Sequence, residues 1–452
     1  MTERLVVIGG DAAGMSAASQ ARRRRPVADL EIIAFERSSW VSYSACGEPY
    51  HVAGYVDRLE SLVARTPQQF GALDIDVRTR HEVTEIDLAR RIVVVRDLEE
   101  GRNFFTGFDQ LMIATGAKAI RPGIKGRDLE GVHELRTLDD AARLRQIAEA
   151  TKGRVVVVGG GYVGLEAAEA FHAQGWKVSV VTSGDRVLDR TLHSDLGQKV
   201  IDAMRRIGIE VVLDTRVECI NGSDRVESVG CADNTYPADL VVLGLGSAPE
   251  VDLAASAGIQ LGETGAIAVD DHQRTRSSGV WAAGDCAEAL HRVTGKQVNI
   301  HLGTIANKAG RVAGINLGGE DAVFPGVLGT AITKVLDVEI SATGLRLDDA
   351  RAEGFDAVEG RATGTTTAGY YPTASEITIS TVAERRTGRI IGAQIVGGSG
   401  AAKRIDVFAT AIWANMTVQD LAWVDLAYAP PFSGVWDLIH ISARNAARLA
   451  LQ

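Results

Sequence analysis

Cys46 stands in the run Trp40-Val41-Ser42-Tyr43-Ser44-Ala45-Cys46-Gly47-Glu48-Pro49-Tyr50, among small and turn-forming residues. Pro49 suits the first turn of a helix. A thiol at such a helix start gains from the positive end of the dipole, which lowers its pKa and populates the thiolate. A thiolate is the nucleophile of disulfide exchange. The remaining cysteines, Cys219, Cys231 and Cys286, lie far along the chain and form neither a C-x-x-C pair nor a zinc spacing. A lone cysteine in a loop can equally be a buried structural residue. Its neighbours decide between the two readings.

Those neighbours include a dinucleotide-binding pattern just upstream. The apolar run Arg4-Leu5-Val6-Val7-Ile8 ends at Gly9-Gly10-Asp11-Ala12-Ala13-Gly14, and a helical stretch follows from Met15 to Ala21. Backbone N–H groups of Gly9, Gly10 and Gly14 are expected to receive a pyrophosphate at the helix start. Leu30 to Glu36 reads as the second strand, with Glu36 placed to accept from an adenosine ribose. Asp11 departs from G-x-G-x-x-G; a carboxylate there is expected to cap the helix and point away. Arg22-Arg23-Arg24-Arg25 closes the helix, either as a cationic C-terminus favoured by the dipole or as a phosphate site for a substrate tail.

A second copy begins at Arg154. Val155 to Val158 is its strand, Gly159-Gly160-Gly161-Tyr162-Val163-Gly164 fits G-x-G-x-x-G fully, and Lys177 to Val181 is the next strand. Thr182 replaces the acidic ribose ligand, so a 2′-phosphate is not repelled there, and Ser183 and Arg186 could contact it. This favours NADPH and leaves NADH open. Between the copies, Phe108 to Ile113 ends at Ala114-Thr115-Gly116-Ala117, where the chain leaves the first unit. Leu240 to Leu243 ends at Gly244-Leu245-Gly246-Ser247-Ala248-Pro249, the return. Val280-Trp281-Ala282-Ala283-Gly284-Asp285 then offers a carboxylate to a cofactor sugar alcohol, ahead of a helix from Gly303 to Arg311.

At 452 residues the chain has room for two or three cores. Its net charge of -10 argues against a general nucleic-acid role. Glycine outnumbers proline 49 to 10, which suggests tight turns and close backbone approach, not disorder. The first residues, Met1-Thr2-Glu3-Arg4, have no signal-peptide layout, and no apolar run could span a membrane. A cytoplasmic, reducing location is expected. The nine histidines never fall at H-x-x-x-H spacing, so no metal is expected. From about Phe324, alternating segments such as Glu376 to Ser380 and Arg389 to Ala393 suggest an antiparallel sheet in a separate α+β domain.

Two dinucleotide folds, the Ala-Thr-Gly exit and the Gly-Asp strand, in this order, resemble the FAD- and NAD(P)H-dependent disulfide oxidoreductases over essentially the whole chain. Ser42 to Tyr50 resembles their single-cysteine branch of CoA-disulfide reductases, NAD(P)H oxidases and polysulfide reductases. Gly303 to Arg311 and Tyr428 to Ser433 are similar to signatures of the CoA-disulfide reductase group. The resemblance implies an α/β fold of two Rossmann-like domains plus a C-terminal α+β dimerisation domain. The implied boundaries are 1–118 with 251–323 for FAD, 119–250 for NAD(P)H, and 324–452 for dimerisation, with no rhodanese extension beyond Gln452. It implies that Gly9, Gly10, Gly14, Glu36, Thr115, Gly116, Gly284, Asp285, Gly303 and Thr304 hold FAD. Gly159, Gly161, Gly164, Thr182, Ser183 and Arg186 would hold NAD(P)H. Cys46 would be the redox cysteine, with Tyr428 and either Tyr370 or Tyr371 reaching the partner subunit's site. Arg22, Arg25, Ser42 and Asn307 would bind substrate.

Three departures bear on the activity. Glu48 stands where many relatives are apolar, the C-terminal domain lacks a His-Pro…Glu dyad, and Ala12 replaces a histidine typical of water-forming oxidases. The implied activity is NAD(P)H-dependent reduction of CoA disulfide, CoA persulfide or polysulfide by a homodimer that binds neither nucleic acid nor membrane. Its rivals are an oxidase or quinone diaphorase that needs no thiol exchange, and a redox-responsive binding module.

Overall fold

The computed structural model describes residues 2–450; Met1 and Gln452 of the readings above, with Leu451, lie outside the described residues. Glu3–Ile8 is an apolar strand flanked on both sides by parallel partners, Leu30–Phe35 and Gln110–Ile113. Near-continuous apolar runs of this kind mark a parallel sheet covered on both faces. The five-stranded sheet runs Val280–Ala282, Gln110–Ile113, Glu3–Ile8, Leu30–Phe35, Asp76–Arg78. Its helices are α1 (Ala12–Arg24), α2 (Glu48–Ala53) and α3 (Pro67–Gly71).

The second unit repeats the plan. Arg154–Val158 lies between Lys177–Val181 and Leu240–Leu243, with Glu210–Val212 and Val132–Glu134 at the edges, all parallel. α4 (Leu138–Ala150), α5 (Tyr162–Ala173) and α6 (Ser194–Arg206) belong to it. The chain enters and leaves along a two-stranded antiparallel ribbon, Ala117–Ala119 against Ser247–Pro249. At the foot of that ribbon the Thr115 hydroxyl donates to the Glu250 carbonyl at 2.6 Å, and Lys118 pairs with Glu250 and Asp252.

Back in the first unit, α7 (Asp252–Ser256) precedes the last strand and α8 (Gly303–Leu317) follows it. α8 lies directly on α1. A Cβ on Gly310 would sit 2.2 Å from the Ala13 carbonyl oxygen, and one on Gly314 would sit 2.3 Å from that of Ala17. Small residues four apart on both helices therefore let the backbones touch, which fixes α8 against the glycine loop that opens α1.

The third unit is a five-stranded antiparallel sheet in the order Ala331–Val335, Val338–Gly344, Ile390–Gly397, Glu376–Glu384, Ala357–Thr365. It carries α9 (Leu347–Ala352), α10 (Ile405–Trp413), α11 (Val418–Leu421) and α12 (Leu438–Ala450). Its first hairpin reaches the second unit beside α2. The Thr333 hydroxyl donates to Glu166 at 2.8 Å, Lys334 approaches buried Glu169 at 3.7 Å, and its ammonium stands 5.9 Å from the Tyr55 ring centroid. No helix among the described residues is long and apolar enough to cross a membrane.

Candidate active site

The Cys46 loop is stapled to the first glycine turn by its backbone. The Ser42 N–H donates to the Gly10 carbonyl at 2.9 Å, and the Tyr43 N–H to Asp11 Oδ1 at 2.9 Å. Ser42 adopts φ of 48°, a left-handed conformation that cost and context must hold in place. Its carbonyl accepts from Ala64 at 2.7 Å, so the constraint is met from both sides. Cys46 lies in a one-turn 3-10 helix, Ala45–Gly47, and Pro49 enters the first turn of α2 as expected. The thiol is free and exposed.

Its pKa does not follow the sequence expectation. Burial of the sulfur's surroundings, then the carboxyls of Glu166, Glu48 and Asp285, push the Cys46 thiol up, opposed weakly by a backbone N–H. α2 has only six residues, too short a helix for its dipole to prevail over nearby acids. The thiolate must therefore be recruited by whatever binds beside it.

Asp11 sits at the N-cap position but its side chain makes no capping bond; the expected cap is replaced by the bond to Tyr43. Burial raises its carboxyl to about 6. Glu48 is buried, and burial with neighbouring Asp140 and Asp11 lifts it to about 8 against the pull of Arg136. Arg136, which no motif marks in the sequence, donates to Asp285 at 3.1 Å and to the Ala117 carbonyl at 3.2 Å. Asp285 thus faces a guanidinium as well as any sugar.

The two glycine turns are near-copies that fit dinucleotides. Gly9 has φ of +103°, and a Cβ there would lie 2.1 Å from the Ala114 carbonyl oxygen; one on Gly14 would lie 2.0 Å from the Gly9 oxygen. In the second turn Gly159 has φ of +116° and meets the Gly244 oxygen at 2.3 Å, while Gly164 meets the Gly159 oxygen at 2.2 Å. Gly116, Gly161 and Gly303 face open space, with no atom within 4 Å of an added Cβ. α1, α5 and α8 begin with no side-chain cap, whereas α3, α4 and α11 each close theirs with a capping box. The free N–H groups and glycine cradles suit phosphate oxygens. Glu36 accepts from Gly10 at 2.8 Å and from Ser38 at 2.8 Å, which holds its carboxylate at the strand end. Gly284, at φ of +88°, brings the last strand against Ala13, and Thr304 opens α8 in an exposed position.

Several sequence-predicted ligands are otherwise engaged. Arg22 donates to the carbonyls of Leu30, Asp74 and Arg25, while Arg25 pairs with Glu3 and donates to Asp29. Both are consumed at the C-terminal end of α1, so the phosphate reading for them is corrected to the structural one. Arg24 pairs with Glu320. Arg23 alone of the four is exposed with no ion-pair partner among the described residues, as are Lys308 and Arg311 on α8. Asn307, next to Lys308, accepts from the Ser16 hydroxyl at 2.9 Å. In the second unit Arg186 folds back on Asp185, Leu192 and Asp189, while Ser183 stays exposed and a Cβ on Gly160 would stand 3.3 Å from the Thr182 side chain.

The tyrosines lie on the third unit. Partial desolvation and then the neighbouring Tyr370 hydroxyl raise Tyr428, so these two are together. Tyr371 is half-buried, its N–H held by Ala368 at 2.7 Å. Around Tyr370 and Tyr428 the same unit exposes Trp423, Phe432, Val435 and Trp436, Trp423 by 77% and Phe432 by 73%.

Two dinucleotide folds sharing a cleft, with a free thiol at the first glycine turn, define a thiol-bearing, nucleotide-linked oxidoreductase. The chain belongs to the pyridine nucleotide-disulphide oxidoreductase family: residues 3–310 match the family model, and residues 330–438 match its dimerisation domain. It is 41% identical over 442 residues to an NAD(P)H sulfur oxidoreductase (CoA-dependent) of Pyrococcus abyssi, covering 97% of each chain. It is 35% identical to an NADH oxidase of Methanocaldococcus jannaschii over 98% of this chain and 99% of that one. A solved NAD-dependent persulfide reductase from A. fulgidus superposes with a TM-score of 0.94 at 40% identity, over 98% of this chain and 82% of that chain.

Proposed function

We propose that this oxidoreductase reduces CoA disulfide, CoA persulfide or polysulfide with NAD(P)H, using Cys46 as its single redox sulfur. The observation that carries the reading is the free, exposed Cys46 fastened by Ser42 and Tyr43 to the first glycine turn. The sulfur-reducing relatives at about two-fifths identity support the substrate class.

FAD is held at Gly9, Gly10, Gly14, Glu36, Gly284 and Asp285, with Thr115, Gly116, Gly303 and Thr304 along the cleft; NAD(P)H is held at Gly159, Gly161, Gly164, Thr182 and Ser183. When bound, FAD carries two electrons from the pyridine nucleotide to sulfur. The Cys46 thiolate attacks one sulfur of the substrate, forming a mixed disulfide and releasing the other half as a thiolate that takes up a proton. Two electrons supplied by the pyridine nucleotide, with one proton from solvent, would then cleave the mixed disulfide, restoring the Cys46 thiolate and freeing the second thiol. A lone cysteine keeps half of its substrate attached, which favours a bulky substrate with its own binding site. Lys308 and Arg311 near Asn307, and Arg23 at the other end of α1, are free of ion-pair partners among the described residues and are the cations available for its phosphates.

Arg23→Ala is expected to raise KM for CoA disulfide about tenfold, the worth of one charge-assisted contact. kcat stays within about twofold, and inorganic polysulfide reduction is unaffected. Steady-state kinetics with both acceptors checks this; equal effects on the two would remove the CoA-phosphate role.

The functional unit is a homodimer in which the partner's exposed tyrosine face meets the Cys46 cleft, with Tyr370 and Tyr428 supplying hydrogen bonds to the substrate. Trp423→Asp combined with Phe432→Asp is expected to yield a monomer by sedimentation velocity, because two charges would be buried unpaired at an apolar contact. A variant that sediments as the wild type would rule this face out as the interface.

The test of the reading as a whole is anaerobic: NAD(P)H is added with CoA disulfide, and free thiol is counted per nucleotide oxidised. Two thiols per NAD(P)H are expected. Consumption of NAD(P)H only when oxygen or a quinone is admitted would replace the reading with an oxidase or diaphorase.

A further inference from the structure

Glu48 is the most anomalous side chain near the thiol. It is 3% exposed, and its Oε1 is buried with no hydrogen-bond partner among the described residues. Every other acid around it is spoken for. Asp11, at the start of α1, accepts from the Tyr43 N–H. Asp140, in the first turn of α4, accepts from the backbone N–H groups of Arg136 and Thr137. Asp285 holds the Arg136 guanidinium at 3.1 Å, and the same guanidinium also donates to Ala117. One cation therefore serves Asp11 and Asp285 besides Glu48, and it hydrogen-bonds Asp285 and a carbonyl while Glu48 has no bond to it. The Tyr43 phenol, close to Asp11 and Glu48, is driven upward by burial and by both acids and supplies no charge. Across the cleft, α5 adds Glu166, which faces the thiol and Tyr50, and Glu169, which faces Tyr50; both are themselves pushed up by burial.

A carboxylate buried without a donor is strongly disfavoured, whereas the neutral acid leaves one polar atom unpaired at far lower cost. We propose that Glu48 is a neutral carboxylic acid in the resting protein and a tuning residue for Cys46: its ionisation in alkaline solution places a negative charge two residues from the sulfur and holds the thiol protonated. The coupling is reciprocal, since two interacting groups titrate as a pair. Its consequence is an enzyme whose thiolate population rises less steeply with pH than a free thiol's. This inference rests on Cys46 being the reactive thiol.

The test is the rate of Cys46 alkylation by iodoacetamide in the cofactor-loaded protein, pre-reduced and desalted, followed by peptide mass from pH 6 to pH 10. Glu48→Gln keeps the size and neutral charge of the resting acid. Wild type and variant are expected to agree within about twofold below pH 7, and the variant to be about tenfold faster near pH 9, one decade for each unit of thiol pKa. A simple single-group titration should describe the variant and not the wild type. Superimposable profiles overturn the coupling.

A second readout does not involve the thiol. Glu48 lies at about 8 in the folded protein, above its ordinary value of 4.5, with burial the main cause. Between those values the native state holds a proton that the unfolded chain has released, so the carboxyl erodes stability as pH climbs through that window. The gap between the unfolding midpoints of Glu48→Gln and wild type should therefore widen from pH 5 to pH 9. A constant gap overturns the neutral resting acid. If wild-type Cys46 resists alkylation at every pH while the gap still widens, the thiol chemistry falls and the coupling with it, but Glu48 still holds its proton.

Discussion

Cys46→Ser is expected to lower NAD(P)H-dependent reduction of CoA disulfide at least about a thousandfold, the scale seen when a covalent nucleophile is removed. Nothing else in the site can replace it. Cys286 is fully buried, and Cys219 and Cys231 lie on neighbouring strands of the second unit, outside the cleft-lining turns. The substituted side chain is small and sits in a turn whose contacts are made by backbone, so folding and cofactor content should be unchanged. Electron flow from NAD(P)H to a small quinone or to ferricyanide bypasses sulfur and should survive within about threefold, since it needs only the two nucleotide sites. The paired assay is decisive: loss of both activities would mean that the loop is structural, and survival of both would mean that electrons never pass through Cys46.

Gly9→Ala is expected to give a protein that purifies without flavin absorbance and unfolds with about 3 kcal/mol less stability. Two penalties combine: a side chain at φ of +103°, and a Cβ placed 2.1 Å from the Ala114 carbonyl oxygen, a backbone atom that cannot swing aside. Relief requires moving the end of the central strand, which carries the pyrophosphate turn, or that of the strand beside it, which carries the exit at Ala114. Gly161→Ala is the internal control. Gly161 has φ of -82° and open space where its Cβ would stand, so stability should change by no more than about 0.5 kcal/mol. Its effect should appear in KM for the pyridine nucleotide. Visible absorbance and thermal unfolding of the two variants side by side check both statements.

Much of the nucleotide machinery was legible because it is local. A strand, a glycine turn and a helix are read within about twenty residues, and both such units form in the fold. The tertiary partners of single side chains were not legible. Four arginines in a row carry no sign of which will be consumed by carbonyls a helix-length away, and Arg22 and Arg25 were. The thiol's acidity failed for the same reason. The helix start is written beside Cys46, but Glu166 comes from α5, more than a hundred residues later, and only folding sets it facing the sulfur. Arg136 has no motif at all. It matters because the chain's exit ribbon and the Gly-Asp strand bring Ala117 and Asp285 to the same guanidinium.

The interleaved order of the first two units sets a schedule for synthesis. The Val280–Ala282 strand and α8 complete the first sheet and clamp α1, yet they are translated only after the whole of the second unit. A nascent chain leaving the ribosome therefore holds an unfinished first sheet, with one flank of Gln110–Ile113 unpaired, while some 130 residues of the inserted unit are made and close on themselves. Domains generally fold as they emerge, so the inserted unit matures first and the outer one waits. The waiting edge is apolar and parallel-pairing, the kind of surface that invites misassociation. Expression at lower temperature, or pauses placed after residue 320, should improve yield for that reason, and truncations ending before α8 should be caught by chaperones.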